Sequence, residues 1–202
     1  IYNNCFNEGD LELMEYMRNQ VSVAITNHKL HERTLYLSRY DKLTNVCNRT
    51  WFEQLIHSEI YNEDKNIEEF FLVVFDLNDL KLVNDNYGHL AGDELIKEFS
   101  KGLNALAGEG DIIGRFGGDE FVGIFLNSDL VSLTNKLEEL IRKFKDCPLV
   151  FEGNKIVCSY SYGIANFPRE GIEFDELIKR SDRRMYEYKR IVKSKRALLI
   201  GV

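Results

Sequence analysis

The chain has 202 residues, 44% hydrophobic and 29% charged, with two prolines, enough for one good core plus an appendage. A formal net charge of -7 argues against a nucleic-acid-binding surface, which needs clustered Lys and Arg to meet phosphates. No apolar stretch approaches a membrane span, no signal peptide is legible, and Cys5, Cys47, Cys147 and Cys158 form no C-x-x-C pair, which suits free thiols in a reducing cytoplasm.

The chain begins without Met, in mid-pattern, and reads as a piece of something longer. From Asp10 to about Tyr40 there is neither Pro nor Gly, and helix formers are plentiful. Met14, Met17, Val21, Ala24, His28, His31, Leu35 and Ser38 recur at three-four spacing, an a/d seam whose lower half is increasingly polar. This predicts a long coiled-coil or signalling helix over residues 1–40, the alternative being an amphipathic helix folded back on its own domain. His28 and His31 read as polar seam residues, with a metal- or pH-sensitive layer between two helices as the alternative.

Residues 41–202 read as one domain. The expected order is a helix over about 48–61, a strand over 70–76, a helix over about 91–107, a hairpin over 112–125, a helix over about 131–145, strands near 149–165 and a helix over about 174–192. Residues 70–76, Phe-Phe-Leu-Val-Val-Phe-Asp, are continuously apolar until Asp76, as in a strand buried on both faces. Leu130, Leu133, Leu137, Leu140, Ile141 and Phe144 give the next long helix an apolar face. Glu152-Gly153-Asn154-Lys155 reads as a hairpin turn. Helices alternating with antiparallel pairs predict an α/β sandwich, helices flanking a mixed sheet.

The chemistry gathers at Gly114-Arg115-Phe116-Gly117-Gly118-Asp119-Glu120-Phe121. Apolar segments on either side predict two strands, and the glycine pair is expected to supply φ > 0 and room for a ligand at the backbone. Asp119 and Glu120 at the tip would repel a bare phosphate, so the turn suits a nucleotide only with divalent cations between them. If the strand ending in Asp76 pairs with this hairpin, Asp76, Asp119 and Glu120 converge into a hard-oxygen cluster suited to Mg²⁺.

These segments resemble the GGDEF family of diguanylate cyclases. Gly117 to Phe121 is the family's motif letter for letter, and Asp76 through Asp93 follows its strand, loop and helix pattern. Asp41-Lys42-Leu43-Thr44-Asn45-Val46-Cys47-Asn48-Arg49 resembles its opening motif, while Tyr160 to Ala165 and Ser181 to Lys189 resemble its closing strand and helix. The likeness spans about residues 40–196 in consistent order. It implies the palm-like fold shared with nucleotidyl cyclases and polymerases, and condensation of two GTP into cyclic di-3′,5′-GMP by two facing domains. The stretch before it resembles the last helix of a GAF-type sensor running into a signalling helix, which would make a homodimer and raise the local concentration of the second half-site.

Carried over by position, the resemblance implies that Asp76, Asp119 and Glu120, with the Leu77 carbonyl, bind Mg²⁺, for which Mn²⁺ would substitute. Asp119 would also help deprotonate the attacking 3′-hydroxyl. Lys81 and the backbone from Asn78 to Leu80 would meet phosphates at a helix start. Asn84, His89 and Asp93 would bind base and sugar, Gly117 and Gly118 would admit the ligand, and Lys189 and Lys193 would reach the terminal phosphates. Departures from the family pattern are Gly108 where its inhibitory Arg-x-x-Asp has Arg, Asn78 and Leu80 after the metal-binding strand, Val192-Lys193 where Gly-Arg is common, and Asn45-Val46-Cys47 in place of Gly-Leu-Pro. Lys193 keeps the charge of the Arg but loses its bidentate geometry.

Overall fold

The computed structural model describes residues 8–60, 69–126 and 128–200. Cys5 and the first turn of the sequence lie outside the described residues. The chain divides into two units after Ser38. The first is the greater part of helix α1 (Glu8–Arg39), 32 residues without interruption and about 48 Å long. Its seam residues are exposed, but so are Leu11, Leu13, Tyr16, Val23, Ile25 and Leu30, so the apolar surface is broader than one a/d stripe. Within this helix His28 lies 3.5 Å from Glu32, one turn on. No helix among the described residues is long and apolar enough to cross a membrane.

The second unit is built on a five-stranded mixed sheet in the order β1-β3-β4-β2-β7. Its strands are β1 (Cys47–Asn48), β2 (Phe70–Leu77), β3 (Ile112–Arg115), β4 (Glu120–Phe125) and β7 (Tyr160–Phe167). A separate hairpin joins β5 (Leu149–Phe151) and β6 (Asn154–Ile156). β2 pairs antiparallel with both β4 and β7, and all eight of its residues are buried. That placement explains its unbroken apolar run, since neither face meets water.

Alternate residues of β2 feed two cores. Phe71, Val73, Phe75 and Leu77 pack with residues of α4 (His89–Leu106) and α5 (Leu130–Asp146). Phe70, Leu72 and Val74 pack with α2 (Arg49–Ile60) and α6 (Phe174–Ile200). The result is three layers, as the element pattern predicts. By the same alternation Asp76 falls on the α2/α6 face.

Several expectations are refined. Residues 77–89 hold an additional helix, α3 (Leu80–Tyr87), which ends at Gly88 with φ 83° before α4 begins at His89. The two-residue β1 pairs parallel with β3. Helix α6 runs eight residues beyond 192. Leu130 is exposed, because Asp129 caps α5 there by accepting from the Val131 and Ser132 amides, and the core face starts one turn later at Leu133. The 152–155 turn closes β5–β6 with φ 47° at Glu152 and 81° at Gly153, the paired positive values of a tight hairpin. The described cysteines, Cys47, Cys147 and Cys158, are free thiols, and burial pushes the Cys158 thiol far up.

Helix α6 is fastened to the sheet at its backbone. A Cβ on Gly163 would stand 2.1 Å from the Ser181 carbonyl oxygen and 2.4 Å from the Met185 nitrogen, so only glycine permits this approach. Ser181 Oγ donates to the Leu72 carbonyl at 3.1 Å. Arg184 donates to the Ile164 carbonyl at 2.6 Å and makes a two-pronged ion pair with Glu170, whose carboxylate also accepts from the Asn166 amide at 2.9 Å. The Arg184 bonds hold the Glu170 carboxyl down at about 2.

Because the folded value lies below the ordinary 4.5, this contribution to stability is complete above that pH and is lost as pH falls toward 2. Glu170→Gln is expected to cost about 1–2 kcal/mol at neutral pH. Its urea midpoint should also fall less steeply than that of the parent from about pH 5 to about pH 3. Parallel acid limbs for the two proteins would contradict the pairing.

Candidate active site

Strand β4 begins directly at Glu120, and β3 ends at Arg115, so residues 116–119 make the turn. Phe116 and Gly117 donate to the Glu120 carbonyl at 2.9 and 3.4 Å. Neither Gly117 nor Gly118 has positive φ, contrary to expectation. The turn is long enough to reverse the chain without left-handed residues, and it is braced by a side chain instead. Arg115 donates from Nε to the Gly117 carbonyl at 3.0 Å and from Nη2 to the Gly118 carbonyl at 2.8 Å. The turn still leaves room for a ligand, since a Cβ at Gly118 would meet nothing within 4 Å.

The third donor of Arg115, Nη1, reaches Asp41 Oδ1 at 3.0 Å. That oxygen also accepts from the Leu43 and Thr44 amides and from Thr44 Oγ1 at 2.7 Å. Burial pushes the Asp41 carboxyl up, but Thr44 and Arg115 more than reverse this and leave it below its ordinary value. Asp41 and Arg115 both fall within the motifs of the sequence, which assigns neither of them a role. An Asp-x-x-Thr turn and an Arg just ahead of a glycine pair were the available signals.

Asp76 sits opposite Glu120 on one side and Ser161 on the other. Lys189 of α6 donates to Asp76 Oδ1 at 2.5 Å. Burial raises the Asp76 carboxyl, Lys189 and Lys193 pull it back, and the charge of nearby Asp119 adds to the rise. Leu77 donates its amide to the Asp119 carbonyl at 2.9 Å, tying the end of β2 to the turn. The next residue, Asn78, is buried and satisfied: its amide meets the Ser159 carbonyl at 2.7 Å, its Nδ2 meets Ser159 Oγ at 3.2 Å, and its Oδ1 accepts from Ser161 Oγ at 3.0 Å. The Asn78 backbone is expected from the sequence to meet phosphate, but its amide is already given to Ser159, so Asn78 is a structural pin rather than a phosphate donor.

The expected three-acid cluster is not drawn together. Among the described residues no three Asp, Glu, His or Cys side chains are gathered as they would be around a metal. The strand register holds, but the exposed Glu120 carboxylate lies back toward Gly117, its Oε2 3.2 Å from where a Cβ would stand, and Asp76 is engaged by Lys189. The donors nevertheless fit a hard divalent cation. They are all oxygens, and the proximity of Asp119 to a desolvated Asp76 is a repulsion that a cation relieves.

Helices α3 and α4 form the other wall. Asp79 adopts φ 61° ahead of α3, and Lys81 is exposed in its first turn. Asn84 Oδ1 is buried and has no hydrogen-bond partner among the described residues. It lies against Gly92, where a Cβ would come within 2.0 Å of it, so the glycine makes the space that Asn84 fills. Half-buried Asp93 follows in the second turn of α4, and His89 is exposed at its start. Asp93 lies outside the first turn, where a macrodipole would favour an acid.

Asp111, four positions before Arg115, is committed to backbone. Its Oδ2 accepts from the Gly108 amide at 2.8 Å and its Oδ1 from the Leu126 amide at 2.9 Å.

The family model "Diguanylate cyclase, GGDEF domain" matches residues 38–195. Diguanylate cyclase DgcP of Pseudomonas aeruginosa is 31% identical over 179 residues, 88% of this chain and 26% of its own length. Cyclic di-GMP phosphodiesterase NbdA of the same organism is 29% identical over 165 residues, 79% of this chain and 20% of its own. The chain thus spans about a quarter or less of these curated relatives. Among solved structures, the coiled coil and GGDEF domain of DgcB from Caulobacter crescentus, in complex with c-di-GMP, has a TM-score of 0.75 at 22% identity, covering 88% of this chain and 94% of that one.

Arg115→Gln removes the brace and leaves Asp41 and two carbonyls with fewer partners. The expected cost is about 1–3 kcal/mol, with faster hydrogen exchange at the amides of residues 117–119 than elsewhere in the sheet. Unchanged exchange there would mean that the turn holds itself.

Proposed function

The chain belongs to the GGDEF family, and from that premise we propose that it is a diguanylate cyclase, condensing two GTP into cyclic di-3′,5′-GMP with release of two pyrophosphates. The observation that carries the proposal is the register of β2 and β4, with Asp76 opposite Glu120 and beside Asp119. In this reading Asp76, Asp119, Glu120 and the Leu77 carbonyl hold Mg²⁺ or Mn²⁺, which supplies charge neutralisation for the phosphates and lowers the pKa of the attacking hydroxyl. Asp119 accepts that hydroxyl's proton. Lys81, Lys189 and Lys193 take phosphate charge as it builds on the leaving group. The open backbone at Gly118 admits the α-phosphate region.

Asn84 and Asp93 read the base. Guanine presents N1–H and N2–H side by side, which suits one carboxylate, and Asn84 Oδ1, buried with no partner among the described residues, wants a donor. Adenine places an unprotonated nitrogen at that edge and would leave the acid unmatched. His89 completes the sugar contact. One domain holds one GTP, so the reaction requires a homodimer, for which the exposed apolar residues of α1 offer a surface. The small share of each relative that the chain spans accords with an upstream sensor in a larger protein. The use of GTP accords with a cytoplasmic site. A second reading, a GTP-binding regulatory domain without turnover, is favoured by the similarity to NbdA, a relative named a phosphodiesterase.

Incubation of the purified chain with GTP and Mg²⁺, followed by chromatography of the products, is expected to give c-di-GMP. Turnover of ATP should be lower by about a hundredfold or more. Asp76→Asn and Asp119→Asn should each lower turnover at least about a hundredfold with the fold retained by circular dichroism. GTP binding without product in the parent protein would establish the second reading instead.

Feedback is also expected to be weak. Gly108 offers no guanidinium, and both oxygens of Asp111 are occupied by backbone amides. Calorimetry should show no tight product site; submicromolar c-di-GMP binding lost in Asp111→Ala would overturn this.

A further inference from the structure

We propose that Lys189 is a built-in counter-ion for Asp76 which a divalent cation must displace, so that cation binding and release of the lysine toward the nucleotide are one coupled exchange. This rests on the reading of Asp76 as a metal-binding acid. The two side chains meet at 2.5 Å with only 23% of the lysine and 13% of the aspartate exposed, so this is a sheltered pair rather than a passing surface contact. Asp76 needs such a partner, since it is the penultimate residue of a strand buried on both faces and stands beside Asp119.

The support of the lysine is rigid and its tip is not. One turn before Lys189, the α6 backbone is pressed against Gly163, and Ser181 and Arg184 are bonded to strand carbonyls. Beyond that anchorage a four-carbon stem carries a compact charge that can leave Asp76 without moving the helix. A dication held by Asp76 would repel an ammonium held by the same carboxylate, so the two cannot share it at full strength. The freed ammonium then needs an anion, and the nearest new source is the phosphate chain of the substrate. By linkage, whatever the lysine costs the cation, the cation costs the lysine. Phosphates that capture the lysine therefore tighten cation binding, which makes nucleotide and cation assemble together.

The test is a Mn²⁺ titration followed by electron paramagnetic resonance at pH 8, without nucleotide, on the full chain and on Lys189→Met, Lys189→Arg and Asp76→Asn. The exchange predicts that Lys189→Met binds Mn²⁺ at least about fivefold more tightly than the parent. Lys189→Arg, which keeps the charge, should stay near the parent, and Asp76→Asn should lose the site. Equal affinity in the parent and Lys189→Met, with Asp76→Asn still defective, would overturn the counter-ion role alone. Equal binding by the parent and Asp76→Asn would instead remove the metal reading beneath it. Should Lys189→Met not fold, the ammonium resonance of Lys189 in the parent protein decides. It is expected to be protected in metal-free protein and to shift or vanish at saturating Mg²⁺, and an unchanged resonance would overturn the exchange.

Discussion

A carboxylate near the end of a strand that water reaches from neither face has to be met by positive charge, and much of the second unit is organised around meeting it. β2 is covered by β4 and β7 at its edges and by helices above and below. The desolvation that stabilises Phe70 to Phe75 penalises the charge on Asp76. The answering cation comes from α6, more than a hundred residues later. Ser181, Gly163 and the Arg184–Glu170 pair thus have a role beyond stability: they set the height and azimuth from which Lys189 reaches the acid.

The two walls of the site treat their polar groups in opposite ways. On the strand side, Asn78, Asp41 and Arg115 have their bonds satisfied within the protein, which rigidifies the turn and the strand end. On the helical side, Asn84 keeps a buried oxygen that no described residue partners, an arrangement that costs about 1–3 kcal/mol where nothing offsets it. A fold retains such a group most readily where a ligand donor completes it.

Much of this architecture is legible in the residues. The run from Phe70 to Asp76 identifies the central strand because burial on both faces erases the period-two alternation that partial burial would write. The hairpin, the tight 152–155 turn and the long closing helix follow from local chemistry in the same way. Helix α3 is hidden because its eight residues, Leu80 to Tyr87, mix Asn, Asp and Lys with only a few apolar positions, and just Val83 is buried. β1 is too short to leave a pattern. In the site, the strand register brings the predicted acids into neighbouring positions, but no sequence rule says that Lys189 would take Asp76 or that Glu120 would lie toward Gly117. The Lys189 pairing depends on side-chain competition across elements far apart in the chain, as does the Arg115–Asp41 brace, which spans 74 positions.

The bare backbone contact at Gly163 has a consequence for how the proposed activity would be lost. Any side chain there must push α6 off the sheet by more than an ångström, since its Cβ would meet main-chain atoms that have no rotamer to yield. The helix carries Lys189 with it, so a single replacement on a strand could unseat the cation from Asp76 while every acid of the turn stays in place. Drift toward a silent domain can therefore begin at a residue with no chemistry of its own, and an inventory of acidic letters would score such a chain as competent.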